Sequence, residues 1–213
     1  NFMRGFRADI RFFNLNLIGG DTTKTLDKTV LSLTIFGDLI NDKFIKRSSA
    51  RSSDYIYVSG TIGDSALGLH CKKKAKVNIL KKHKEFLFNR YLRPNPRIDL
   101  INYINKNASA STDISDGLYS DLDNICRASN LGADINFNLV PLSSAARAIV
   151  AKYPKLNKLI LSGGDDYEVL FTGRDGLDRN KKITKIGKMK KGYNINITHF
   201  DDITNLDGYK HKF

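Results

Sequence analysis

The chain has 213 residues, 41% of them hydrophobic, and 35 Lys and Arg against 22 Asp and Glu give it a formal net charge of +13. That length is enough for one large domain or a domain and a half around a buried core. No apolar run approaches a membrane span and no leader pattern opens the sequence, so the expectation is a cytoplasmic protein, neither secreted nor membrane-bound.

The positive charge is scattered, as in Lys72-Lys73-Lys74, Lys81-Lys82, Lys181-Lys182 and Lys188-Met189-Lys190-Lys191. No aromatic motif of an RNA-binding module interleaves with it, so it reads as a solvated surface that helps attract an anionic substrate, and no nucleic-acid partner is expected. Cys71 and Cys126 lack the spacing of a zinc or redox pair and are expected to be free.

In chain order, Phe2, Phe6, Ile10 and Phe13 keep helical spacing. Leu15 to Ile18 reads as a short strand, followed by the turn Gly19-Gly20-Asp21-Thr22-Thr23. Thr29 to Gly37 is rich in Val, Leu, Ile and Thr and gives the clearest strand of the first half. Tyr55 to Ser59 is another strand, and Gly60-Thr61-Ile62-Gly63-Asp64-Ser65 turns into a helix. Lys81 to Tyr91 is helical until Leu92-Arg93-Pro94-Asn95-Pro96-Arg97, where two prolines break it. Ile98 to Asn105 is helical again.

An extended segment then turns into a helix at Ser111-Thr112-Asp113-Ile114-Ser115-Asp116-Gly117. Leu118, Leu122, Ile125 and Cys126 carry that helix on to an expected end at Gly132. Ala133 to Leu139 alternates like a strand and Ser143 to Tyr153 is helical. Leu159-Ile160-Leu161 leads into Ser162-Gly163-Gly164-Asp165-Asp166-Tyr167-Glu168. Strands follow at Val169 to Thr172, Ile183 to Lys188 and Tyr193 to Ile197. Interleaved strands and helices make the class α/β or α+β, with mixed sheets and flanking helices.

Taken alone, Ser111 to Gly117 has two readings. Asp and Ser before a helix are ordinary caps. Backbone N–H groups at a helix start also attract anions, while carboxylates hold Mg2+. Four glycine-acid turns, around Asp21, Asp64, Asp113–Asp116 and Asp165–Asp166, suggest acids gathered about a polyphosphate. Neither G-x-x-x-x-G-K-[ST] nor G-x-G-x-x-G occurs, and no G-x-S-x-G elbow supports a hydrolase.

The four turns in this order, with Asp54 to Ser65, Leu92 to Arg97 and the tail Gly208-Tyr209-Lys210-His211, resemble the thiamine-monophosphate kinase family of the aminoimidazole-ribonucleotide-synthetase-like ATP-binding superfamily. The resemblance implies a two-domain fold, with residues 1–60 the remainder of an N-terminal ATP-, Mg2+-binding and dimerisation domain and 61–213 a C-terminal α/β domain. It implies a homodimer that transfers the γ-phosphoryl group of ATP to thiamine monophosphate with several Mg2+ ions. ATP contacts are then expected at Gly20, Asp21, Arg47 and Ser115, metal ligands at Asp21, Asp113 and Asp116, and substrate contacts at Asp165 and Tyr209. No catalytic base is implied, because the acceptor is already an ionised phosphate.

Asp121 and Asp123 are expected as exposed helix residues and Asp64 as a cap. Asp165 stands where the family usually has Glu, and Lys212 interrupts the usual tail ending. In the family, further aspartates and strands precede the position of Asn1, so an N-terminally truncated and impaired site is expected. The alternatives are a non-catalytic remnant acting as a dimerisation or binding domain, and a related superfamily ATPase with another acceptor.

Overall fold

The computed structural model describes residues 2–74, 77–200 and 206. The chain divides into two compact units, Asn1–Asp38 and Leu39–Phe213. An expected division after residue 60 falls inside the second unit.

In the first unit the aromatic stripe folds as predicted into helix α1 (Phe2–Phe12), where Phe2 and Phe6 stack at 5.9 Å, yet no residue of this helix is buried. Leu15 to Ile18 and Thr29 to Gly37, both expected as strands, lie in no strand. A strand exists only through its ladder partner, and among the described residues no neighbouring strand pairs with either segment. Val30, Leu31, Leu33, Ile35 and Phe36 are consequently exposed.

The second unit is a six-stranded sheet carrying helices. Its elements are β1 (Tyr55–Ser59), α2 (Asp64–Lys73), α3 (Lys81–Leu92), α4 (Ile101–Asn107), β2 (Ala108–Asp113), α5 (Leu118–Ser129), β3 (Gly132–Asn136), α6 (Ser144–Lys152), α7 (Lys158–Ser162), β4 (Val169–Gly173), β5 (Ile183–Lys190) and β6 (Ile195–Thr198). The strand order is β2-β4-β1-β5-β3-β6, antiparallel throughout except for the parallel pair β3–β6.

Period-2 alternation splits the core between the two faces. Ile56, Val58 and Leu170 join the larger cluster under the helices, with Leu118, Leu122 and Ile125 of α5 and Ala146 and Ile149 of α6. Tyr57 and Phe171, opposite each other in the β1–β4 register, stack at 5.3 Å on the other face beside Leu100 and Ile104.

Helix α5 stops earlier than expected. Asn130 adopts the left-handed conformation at φ 55 and ends the helix, and Gly132 is already the first residue of β3. Asn is the residue besides Gly that most readily takes this conformation, which is why the glycine misled. Both cysteines are free, and burial pushes the Cys126 thiol up to about 12. Among the described residues no helix is long and apolar enough to cross a membrane.

Candidate functional site

Strands β2 and β4 bring two of the glycine-acid turns to one end of the sheet. Asp113 pairs with Val169 at the last rung, so residues 114–117 leave β2 where residues 163–168 enter β4. The backbones then continue to bond. Ile114 N–H donates to the Glu168 carbonyl at 2.8 Å, Tyr167 N–H to that of Ile114 at 2.9 Å, and Asp165 N–H to that of Ser115 at 2.9 Å. A Cβ on Gly164 would lie 2.0 Å from the Ser115 carbonyl oxygen, so this close approach requires glycine.

The first turn is organised by a residue expected on the helix surface. Asp121, only 1% exposed, turns its Oδ2 back to accept the N–H groups of Ser115, Asp116 and Gly117 at 3.0, 3.0 and 3.2 Å. Two corrections follow. Asp121 is a buried organiser because a helix start leaves N–H groups that a nearby carboxylate satisfies, and those three N–H groups are engaged by it, so they form no open anion cradle. The signal available in the sequence was an acid in the first turn of the helix. Asp123 does sit on the helix surface, half-buried, with its carboxylate 2.7 Å from Arg127.

The second turn is held from below by buried charge. Asp166 accepts Gly63 N–H at 2.5 Å and Ser65 N–H at 3.1 Å, and so caps α2 from a hundred residues away in sequence. Burial pushes its carboxyl up to about 7. Asp64, the expected cap, makes no cap bond. It is buried, accepts the Thr61 and Ser143 hydroxyls at 2.6 and 2.5 Å, and lies 3.8 Å from Arg90. Glu168 accepts from Ser59 Oγ at 2.5 Å, Arg90 at 2.9 Å and Arg97 at 3.0 Å. A Cβ on Gly60 would strike the Glu168 carboxylate at 2.2 Å. The pairing of Asp64, Arg90, Arg97, Asp166 and Glu168 is not legible in the sequence, since single-sequence reading cannot pair residues so far apart.

Above this base the surface is acidic. Asp113, half-exposed, accepts the Thr112 hydroxyl at 3.4 Å and has the Arg47 guanidinium 4.0 Å away. Arg47 is oriented by donating from Nε to Thr112 Oγ1 at 3.0 Å, and the Ser129 hydroxyl anchors its turn by donating to the Arg47 carbonyl at 2.9 Å. Burial, reinforced by repulsion from Asp116 and Asp113, raises the Asp121 carboxyl to about 6. Beside Asp116 opens a cavity of about 920 Å³ walled by Ser115, Asp165 and Tyr167 from the loops and by His70, Lys73 and Tyr91 from α2 and α3. That is the size of a small-molecule site. Asp165 at φ 66 and Tyr167 at φ 51 hold the left-handed conformation on its rim.

Of the predicted site residues, Arg47, Asp113, Ser115, Asp116 and Asp165 therefore surround this end of the sheet. Gly20 and Asp21 lie in the first unit, where Thr22 N–H donates to Asp21 Oδ1 at 2.7 Å. Tyr209 lies outside the described residues. Among the described residues no three His, Cys, Asp or Glu side chains stand close enough to share one metal ion. The donor chemistry still suits Mg2+, a hard cation that one or two carboxylates hold while water and phosphate fill the other positions.

No protein-family model matches the chain. It is 35% identical over 211 residues to the thiamine-monophosphate kinase of Buchnera aphidicola from Acyrthosiphon pisum, covering 97% of this chain and 61% of that protein. It is 39% identical over 201 residues to the enzyme of the same name from Haemophilus influenzae, covering 89% and 60%. The solved structure described as AaThiL complexed with AMPPCP and TMP superposes with a TM-score of 0.70 at 34% identity, over 80% of this chain and 55% of that one. The chain thus spans about three-fifths of the length of these two curated relatives.

Proposed function

Because the chain belongs to the thiamine-monophosphate kinase family over the stretch it spans, we propose that it carries part of a site for ATP-dependent phosphorylation of thiamine monophosphate to thiamine diphosphate. The observation that carries this reading is the loop pair: an acidic turn and a Gly-Gly-Asp-Asp-Tyr-Glu turn stitched together by backbone bonds beside a ligand-sized cavity.

In this proposal Asp113 and Asp116 present carboxylates to Mg2+, and the family resemblance assigns Asp21, in the first unit, a metal ligand role of its own. When bound, the metal would offset the charge of the facing phosphates, which is the main demand of phosphoryl transfer between two anions. Arg47, already oriented by Thr112, reaches a phosphate or the nucleotide together with Ser115, and the resemblance assigns Gly20 and Asp21 of the first unit ATP contacts as well. Asp165 and Tyr209 contact thiamine monophosphate. Tyr91 and Tyr167 line the cavity wall, and an aromatic side chain there would attract a cationic ring. The backbone bonds accepted by Asp121 and Asp166 and the ion pairs of Glu168 hold the turns at 113–117 and 163–168 in place. A homodimer in the cytoplasm is part of the same reading.

A coupled assay tests it, with ATP, Mg2+ and thiamine monophosphate, run with and without a separately supplied N-terminal fragment of a relative. Thiamine diphosphate is the expected product, and its absence in both cases overturns catalysis by this chain. The exposed apolar run from Val30 to Phe36 favours a second reading, a binding or dimerisation domain that pairs this segment with a partner strand. Equilibrium sedimentation showing a dimer with no affinity for ATP would favour that reading.

A further inference from the structure

The end of β2 and β4 remote from the loop pair holds a second cavity, of about 540 Å³. There Ala108 opens β2 opposite Gly173, the last residue of β4, and five residue steps of about 3.3 Å separate this end from Asp113. The walls are the end of α4 and the turn leaving β4, and they carry three cations, Lys106, Arg174 and Arg179. None of the three has an acidic partner among the described residues. The lining acid, Asp175, is engaged by Lys185 at 2.7 Å, and Asp178 of the same turn does not line the cavity.

The walls are also fixed. The buried Tyr57 donates its hydroxyl to the Arg174 carbonyl at 2.7 Å, and Tyr103 donates to that of Leu177 at 2.9 Å, tying both sides of the turn to the sheet and to α4. Gly176, at φ 81, gives the turn its left-handed step, and its N–H donates to Asp175 Oδ1 at 2.8 Å. The carbonyls at the end of α4 would repel an anion. Lys43 offsets them by donating its ammonium to the Asn105 and Ala108 carbonyls.

We propose that this cavity is a second ligand site, for a small phosphate-bearing anion. Guanidinium forks match phosphate oxygens, and a preformed concave wall spares a ligand the cost of ordering loops. The proposal does not depend on the kinase reading, since its residues belong to neither loop of the pair.

Calorimetric titration at low ionic strength and without divalent metal tests it, using inorganic pyrophosphate and ADP as separate arms to distinguish an inorganic from a nucleotide ligand. Saturable binding in at least one arm is expected. The exposed double variant Arg174→Ala/Arg179→Ala should weaken it by about tenfold or more, as loss of a charge-assisted hydrogen bond implies. Asp113→Asn/Asp116→Asn should leave it intact, which separates this site from the loop pair. Absence of saturable binding in both arms overturns the proposal. So does binding that the arginine variant leaves within about twofold of the original.

Discussion

Replacing Glu168 with Ala removes the anion shared by two largely buried guanidiniums. The Glu168 side chain is 4% exposed and those of Arg90 and Arg97 are 17% and 13% exposed. After the change Arg97 keeps Asp99 at 3.0 Å, but among the described residues the one carboxylate left near Arg90 is Asp64 at 3.8 Å, beside the Asp166 carbonyl at 3.5 Å, and the Ser59 hydroxyl loses its acceptor. Removing one partner of such a buried pair costs about 3–5 kcal/mol, a large part of the roughly 5–15 kcal/mol that holds a typical domain together. Urea unfolding followed by far-UV circular dichroism should therefore show a midpoint far below that of the original chain. Glu168→Gln, which keeps an acceptor for Ser59 but no charge, should fall between the two. A loss under about 1 kcal/mol for Glu168→Ala would refute the reasoning, since it is the range of an exposed ion pair.

Gly164→Ala should force the two loops apart, lowering stability by about 1–3 kcal/mol as overpacking does and weakening AMPPCP or thiamine monophosphate binding in calorimetry. Asp121→Ala leaves three N–H groups of the acidic turn without their acceptor. A loss of about 1–3 kcal/mol or more in chemical denaturation is expected, with faster amide exchange at residues 115–117. The Asp166 carboxyl is raised in the fold by burial, to about 7. Its contribution is thus fully present below the ordinary carboxylate range and is lost as pH rises through about 7. Relative to Asp166→Asn, the original chain should lose a few kcal/mol between acid and mildly alkaline pH, measured by urea unfolding across that range. Asp113→Asn/Asp116→Asn should reduce Mg2+-dependent AMPPCP affinity by about tenfold or more.

The sequence made local features legible. Helical spacing of apolar residues located α1 and α5, and the prolines at 94 and 96 marked the break after α3. Tyr55 to Ser59 and Val169 to Thr172 read as strands, and the structure places Ile56 and Val58 on one face and Tyr57 on the other. The failures share a physical cause, which is dependence on distant partners. Val30 to Phe36 has strand composition, but composition supplies no ladder partner. Asp121 and Asp123 are both acids on α5, and only the fold tells which faces the three N–H groups of the turn. Asp166 caps a helix that begins at Asp64, and no spacing rule encodes that. At the candidate site the same division holds: motif order pointed to Asp113, Ser115, Asp116 and Asp165, whereas the charges that fix their backbone emerged only from tertiary contacts.

In the proposed function, nucleotide and thiamine phosphate would meet at the turns 113–117 and 163–168. Amide hydrogen exchange of this chain with Mg2+, AMPPCP and thiamine monophosphate, alone and together, tests it most directly. Added protection is expected in both turns, greatest with all three present, and lost in Asp113→Asn/Asp116→Asn. Unchanged exchange in both turns at saturating ligand, or protection confined to residues elsewhere, would contradict it.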